Sequence, residues 1–390
     1  MDETWACVWK ACGLGAAVLA GTGCEEALSQ PPIREETAVQ PSRAVEPTIL
    51  DDRQIPYRAD VVAAGLDVPW ELVWAPDGRI FLTERPGTIR VMVQGVLQRE
   101  PVISFPAPFV SEGEGGLLGL ALDPDFAQNR FLYAYHTYRE GNQIFNRVIR
   151  LREQNNRAAI DKVLIDRIPG GVIHNGGRIK IGPDRHLYIT TGDGGVRQRA
   201  QDLSSLAGKI LRIRLDGSIP PDNPFPGSPV YSYGHRNPQG LAWSPASGAL
   251  YSSEHGPSGH DEINLIQPGA NYGWPVIQGD EQAPGMRPPL VHSGSNTWAP
   301  AGMAFVNTGS WASQLLVANL RGEQVLKIAL SAENPAVAGD VSAFYPGRFG
   351  RLRDVAAAPD GTLYLLTSNR DGRGAERPGD DKIIRLTPLR

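Results

Sequence analysis

One pattern recurs six times along the chain: a short apolar strand runs into a turn of Pro-Asp-Gly type and returns as a second strand rich in Leu, Tyr and Thr. The copies cover residues 72–84, 117–136, 178–193, 241–254, 303–319 and 355–369, with turns at Pro76, Pro124, Pro183, Pro245, Asn307 and Pro359. Successive turns are 48, 59, 62, 62 and 52 residues apart, which suits a four-stranded unit and is too long for a short solenoid repeat. A third strand of alternating character follows each pair, at 88–93, 147–152, 210–215, 262–266, 325–330 and 382–386. A meander of this kind cannot bury both its faces alone. Packing the sheets radially does so, and predicts an all-β fold, a six-bladed β-propeller with four-stranded antiparallel blades. One strand is left over near the start, at 59–66, and beside 382–386 it completes the last blade and closes the ring through both termini. No Pro/Ser-rich linker interrupts residues 57–388, which argues for one domain at 57–390 against an open sandwich or two separate β domains.

Composition narrows the reading. The 44 glycines and 33 prolines fit many turns between short strands better than long helices. A net charge of −4, with no segment gathering Lys and Arg, leaves nothing to hold a phosphate backbone and excludes nucleic acid as an expected partner. All three cysteines, Cys7, Cys12 and Cys24, fall in the first 24 residues, so the folded body has neither a disulfide nor a cysteine metal site. Around them, Lys10, the apolar run 11–20 and Gly21-Thr22-Gly23-Cys24 read as a secretory signal at 1–24, too short to span a bilayer. That places the body in the periplasm or outside the cell. Ending on cysteine, the segment resembles a bacterial lipoprotein signal, with a lipid anchor through Cys24. Gly21 stands where such signals carry an aliphatic residue, and Asp2 and Glu3 depart from a basic start unless translation begins near Val8; an ordinary cleaved signal is the alternative. Residues 25–56, rich in proline and poor in apolar residues, read as a flexible tether.

The register of the repeats locates a functional face. Counting back nine residues from each turn landmark gives Asp67, Gly115, His174, Arg236, Trp298 and Gly350, each just before its blade's innermost strand. The first two strands of a blade are antiparallel, so the start of one and the end of the other lie at the same end. Asp193, Glu254, His255, Asn319 and Asn369 therefore share that face, with Glu114, Asn237, Arg321, Arg351 and Arg353 beside them. So polar a ring points to a binding site.

The motifs in this ring resemble a known family. His174-Asn175-Gly176-Gly177-Arg178, Thr190-Thr191-Gly192-Asp193, Gly234-His235-Arg236-Asn237-Pro238-Gln239-Gly240 and Glu254-His255-Gly256-Pro257 are similar to motifs of the soluble glucose/sorbosone dehydrogenases that use pyrroloquinoline quinone (PQQ). So are Asp261-Glu262-Ile263-Asn264, Asn271-Tyr272-Gly273-Trp274-Pro275, Glu114-Gly115-Gly116-Leu117-Leu118-Gly119 and Arg351-Leu352-Arg353-Asp354. The resemblance covers residues 57–388 and implies PQQ-dependent oxidation of an aldose at its anomeric carbon to the lactone; with no cysteine after Cys24 and no Cys-x-x-Cys-His motif, the electrons are expected to pass to an external cytochrome or quinone.

It also implies roles. His174 is the base for the anomeric hydroxyl, a task its residue type suits, and Asp193 orients its imidazole. Arg236, Asn237, Arg321, Arg351 and Arg353 hold the cofactor, the arginines facing its carboxylates and Arg236 also serving in catalysis beside the reactive oxygens. Arg321 departs from the lysine common in the family. Glu114 is an implied substrate or cofactor contact, and Trp298 an implied substrate contact by stacking on a sugar face, with a tryptophan that packs between blades as the alternative. Calcium is the second implied cofactor, held by the carbonyls of Gly256 and Pro257, with Glu262 and Tyr272 matching a second, structural position. Two other readings stay open, a calcium-dependent lactonase-type propeller hydrolase and a non-catalytic propeller that binds partners through its rim.

Overall fold

The apolar strands and their turns do form six antiparallel sheets in ring order, seen in a computed structural model that describes residues 41–389. The expected signal at 1–24, Cys24 and the tether up to residue 40 lie outside the described residues. Blade one is Pro69–Trp74, Ile80–Glu84 and Thr88–Val93, with the short Val96–Leu97 and Ile103–Ser104 both on its third strand. Blade two is Leu117–Leu122, Phe131–Glu140, Gln143–Gln154 and Arg157–Pro169; blade three is Ile179–Ile181, Leu187–Thr191, Lys209–Ile213 and Val230–Tyr233. Blade four is Pro238–Trp243, Leu250–Glu254, Glu262–Ile266 and Val291–His292; blade five is Pro300–Phe305, Leu315–Asn319, Val325–Leu330 and Ala338–Phe344. In blade six, Leu352–Ala357, Leu363–Thr367 and Ile383–Pro388 are joined by Tyr57–Ala63 from the other end of the chain, with Ala59 opposite Leu386. The innermost strands pack each on the next, and the sixth on the first.

Alternation along each strand sends one face to either neighbouring blade, and the apolar residues accordingly collect in six clusters, one in each gap. Leu72, Leu82 and Met92 meet Leu366 and Ile383 across the closure, for example, and Val306, Leu316 and Phe344 meet Val355, Leu363 and Ile384 between blades five and six. Each such aliphatic side chain contributes about 1.5–3 kcal/mol on full burial.

An irregularity shared by the inner strands positions the site. Near its start each strand sets two residues against one of its partner. The extra residue is Trp70 in blade one, Gln239 in blade four and Arg353 in blade six. Blades two and five shift register at the same place. In blade three, Thr190 accepts from Gly177 N–H and donates to Arg178 O, the same two-against-one arrangement. Such bulges re-aim side chains, here toward the ring axis at the end where each second strand finishes.

Residues 41–56 correct the expected tether. Val45 N–H donates to the His292 carbonyl and His292 N–H to the Arg43 carbonyl on the outer strand of blade four, Arg43 Nη2 donates to the carbonyls of Ala338 and Gly339, and Thr48–Ile49 pairs in parallel with Ser342–Ala343. Asp51 then caps the short 3-10 turn Asp52–Gln54, and Ile55 enters the apolar cluster between blades five and six. The segment is a strap on the outer rim. It has too few apolar residues to announce itself, because two backbone-paired residues on a sheet edge need none.

Candidate active site

The bulged ends of the inner strands and the loops after the second strands enclose a cavity of about 570 Å3 on the axis, a size that suits a small-molecule site. His174 lies in its wall at φ +56°, a left-handed conformation unusual for any residue but glycine. Its backbone N–H donates to Glu114 Oε2 at 2.8 Å, and its carbonyl accepts from Gly194 N–H. Gly192 is obligatory behind it, since a Cβ there would stand 2.0 Å from the His174 carbonyl oxygen. The imidazole Nδ1 is 2.7 Å from Asp193 Oδ1, and Asp193 also accepts from Gly195 N–H at 2.7 Å and Trp274 Nε1–H at 2.9 Å. Burial works to raise the Asp193 carboxyl, but the His174 partner and these donors outweigh it and hold the group below the usual carboxylate range. An ionised Asp193 keeps the ring hydrogen on Nδ1 and leaves Nε2 as the basic nitrogen.

Opposite and beneath lie the cations. Arg85, Arg236, Arg321, Arg351, Arg353 and Arg373 all line the cavity, as do Glu114, Asp261, Glu323 and Asp371. Arg351 is fixed by two 2.9 Å bonds to Asp371 Oδ2, and Arg373 pairs with Glu114 at 2.7 Å. Arg353, buried, donates from Nη1 to Gln239 Oε1 at 2.5 Å. Burial pushes its guanidinium down to about 9, with Asp371 opposing that and Arg351, Arg85 and Arg178 adding repulsion. Arg236 is lowered by burial too, against the pull of Asp193 and Glu254. Its Nη1 donates to His255 O at 3.1 Å. The Nε atoms of Arg85, Arg236 and Arg353, Nδ2 of Asn237 and Nε2 of His255 are buried without a hydrogen-bond partner. Crowded cations with unused donors are an electrostatic fault in an empty site and an asset around a polyanion.

Gly256 and Pro257 turn at the cavity wall, and a Cβ on Gly256 would stand 2.0 Å from Gly259 O. Asp261 clamps this turn, accepting from the backbone N–H groups of Gly256, Trp298 and Ala299. Glu262 and Tyr272 line a smaller adjoining space with Gly256, Pro257 and Glu254. Burial and the neighbouring Glu254 raise Glu262, while the Tyr272 hydroxyl is already spent on Leu265 O and Gln267 N–H, leaving its main-chain oxygen. Among the described residues no three His, Cys, Asp or Glu side chains form a metal cluster.

His174, Asp193, Arg236, Arg321, Arg351, Arg353, Glu114, Gly256 and Pro257 are thus brought together at the axial cavity, and Glu262 and Tyr272 in the space beside it. Two residues are not. The Trp298 side chain is buried in the cluster between blades four and five, its backbone N–H donating to Asp261; only Thr297 and Ala299 of that stretch face the cavity. Asn237 lies behind the wall, its Oδ1 accepting from Gly176 N–H at 3.0 Å. Trp70, Arg85, Gln239, Asp371 and Arg373 line the cavity but escaped the sequence reading. Arg85 directly follows the second strand of blade one, so the register rule covers it. Trp70 and Gln239 reach the axis through bulges, which strand alternation does not reveal.

Comparison with known proteins agrees with this geometry. The family model described as Glucose / Sorbosone dehydrogenase matches residues 66–384. Aldose sugar dehydrogenase YliI of Escherichia coli is 33% identical over 339 residues, covering 80% of this chain and 90% of that protein. Quinoprotein glucose dehydrogenase B of Acinetobacter calcoaceticus is 38% identical over 252 residues, 56% of this chain and 52% of that protein. The PQQ-bound aldose sugar dehydrogenase of Streptomyces coelicolor superposes with a TM-score of 0.77 at 40% identity, over 87% of this chain and 99% of that one. The propeller, its axial cavity and these matches together show that the chain belongs to the glucose/sorbosone dehydrogenase family.

Proposed function

We propose that the chain oxidises an aldose at the anomeric carbon to its lactone, with PQQ and calcium bound in the axial cavity. The observation that carries this reading is the oriented His174–Asp193 pair sharing the cavity with arginines whose buried Nε atoms have no partner. PQQ, when bound, supplies the two-electron oxidant for the hydride that leaves the anomeric carbon. His174 Nε2 takes the hydroxyl proton of the sugar, and Asp193 keeps the imidazole in the required tautomer and offsets the charge it acquires. Arg351 and Arg353 neutralise carboxylates, Arg321 adds a third cation, and Arg236 offsets the negative charge that grows on the oxidant. Asn237, behind the wall, acts on the cofactor's surroundings through Gly176, whose N–H its Oδ1 accepts. Glu114 acts through His174, whose backbone it holds, and not only as a sugar contact. The carbonyls of Gly256 and Pro257 would hold one calcium ion, and Glu262 with the main-chain oxygen of Tyr272 a structural one, whose charge relieves the buried Glu262–Glu254 repulsion.

The sequence carries no cysteine after Cys24 and no Cys-x-x-Cys-His, hence no thiolate for an iron–sulfur cluster or covalent haem in the propeller. Electrons therefore leave to a separate acceptor, a cytochrome or quinone. A secreted protein, held at a membrane through Cys24 if that residue is lipidated, accords with this. Adding PQQ and calcium to the apoprotein tests the reading: sugar-dependent dye reduction and a raised melting temperature are expected. Lactone cleavage without dye reduction would assign a hydrolase, and neither activity a binding module.

A further inference from the structure

Beneath the cavity the ring axis is filled by charge. Five residues before each turn landmark stand Glu71, Gly119, Arg178, Gly240, Gly302 and Asp354, five of them within the inner strands and Arg178 immediately before its own. Three are charged and buried, Glu71 and Arg178 wholly so. Arg178 Nη1 is 3.0 Å from Glu71 Oε1 and 3.5 Å from Asp354 Oδ2, and Glu71 also binds Lys180 Nζ at 2.7 Å and Leu120 N–H at 2.9 Å. The three glycines make the room. A Cβ on Gly302 would stand 1.6 Å from Asp354 Oδ1, one on Gly119 2.3 Å from Gly177 O, and one on Gly240 2.4 Å from Ala301 O.

A buried ion cluster is a poor device for stability, because desolvation offsets the attraction and packed apolar residues serve as well or better. This one touches the cavity floor at two points. Arg178 Nε donates to Gln239 O at 2.9 Å, and Gln239 Oε1 is the acceptor for Arg353. The Arg178 guanidinium also lies 4.1 Å from the centre of the Trp70 ring, whose centre is 5.6 Å from that of Arg353. Trp70, Gln239 and Arg353 are the bulge residues preceding Glu71, Gly240 and Asp354, and all three line the cavity.

We infer that Arg178, held by Glu71 and Asp354, is the positioning residue of the cavity floor, aligning Trp70 and, through Gln239, the carboxylate-binding Arg353. The consequence for the cofactor rests on the function proposed above; the consequence for the floor does not. Removing Arg178 alone would strand two buried carboxylates, so the informative variant removes all the charge in the layer at near-constant volume: Glu71→Gln/Arg178→Met/Asp354→Asn. The glutamine still accepts from Leu120 N–H, and Lys180, partly exposed, stays solvated. Three measurements are made on parent and variant: melting temperature, the fluorine NMR signal of Trp70 in 5-fluorotryptophan apoprotein (assigned with Trp70→Phe), and the PQQ dissociation constant from tryptophan quenching. A melting temperature within about 4 °C of the parent or above it, a shifted or broadened Trp70 signal and a dissociation constant raised about ten- to hundredfold are expected. An unchanged Trp70 signal with unchanged PQQ affinity, or a melting temperature lowered by more than about 10 °C, overturns the inference; the latter would make the layer a stabiliser of the fold. If the parent itself binds no PQQ the proposed function fails, and the Trp70 signal still decides the floor.

Discussion

His174 is held in a left-handed backbone conformation that costs a non-glycine residue on the order of 1–3 kcal/mol, and Glu114, Gly194 and the bare face of Gly192 keep it there. Strain retained beside an oriented carboxylate supports the catalytic role proposed for His174. His174→Gln should lower kcat about 10²–10⁴-fold with PQQ affinity retained, because it removes the base and leaves the arginines; steady-state rates beside a PQQ titration measure both. Near-parental turnover with cofactor bound would remove His174 from the mechanism. Asp193→Asn should cost about 10- to 100-fold in the reduction of bound cofactor, read by stopped flow, and its stability effect should depend on pH. The folded-state pKa of Asp193 is depressed, so its contribution is present above the unfolded carboxylate value and is lost as pH falls through the folded one. Urea unfolding should show the parent more stable than Asp193→Asn at pH 7, and the difference should shrink below about pH 4. A difference as large at pH 3 as at pH 7 would mean that the carboxylate charge is not what stabilises. At this scale His174, Asp193 and the arginines were legible because repeat register and residue chemistry coincide. Of the two readings of Trp298 the packing one agrees with the structure, and the register could not decide between them because it places a Cα, not the side chain that leaves it.

Among the elements, the third strands at Thr88–Val93 and Val325–Leu330 and the closing pair near Ala59 and Leu386 lie where alternation and leftover length put them. Two kinds of element were not legible. A bulge inserts one residue without altering composition, so Trp70 and Gln239 gave no signal, although the repeated glycines at Gly119, Gly240 and Gly302 mark the crowding it produces. The strap at 43–50 was read as tether because Thr48 and Ile49 are both exposed and paired through backbone alone. A chain starting at residue 51 should therefore melt below one starting at 41. At least three backbone bonds are lost with residues 41–50, each worth about 0.5–1.5 kcal/mol net, so the gap should be about 1.5–4.5 kcal/mol, or a few to roughly 15 °C. Sugar oxidation should stay unchanged, because the strap lies on the outer rim. Equal melting temperatures would return these residues to the tether, and a loss of turnover would tie the strap to the cavity.

For the whole molecule, the ring stands or falls on its closure. Ile383–Pro388 lies between Tyr57–Ala63 and Leu363–Thr367, so blade six is held together by the last strand of the chain. Ile383, Ile384 and Leu386 are each fully buried, the first in the cluster shared with blade one and the other two in that shared with blade five. At about 1.5–3 kcal/mol apiece their burial amounts to roughly 5–9 kcal/mol, comparable with the 5–15 kcal/mol that separates most folded domains from unfolding. Losing the strand also frees Tyr57–Ala63 and opens an inner sheet edge to other chains. The parent should unfold in one transition, with circular dichroism and tryptophan fluorescence giving the same midpoint. A chain ending at residue 382 should show separated or featureless transitions and should aggregate. Coincident, sharp transitions in the shortened chain would mean that five blades and the strap hold the ring without its latch, and the axial cavity should then bind PQQ as the parent does.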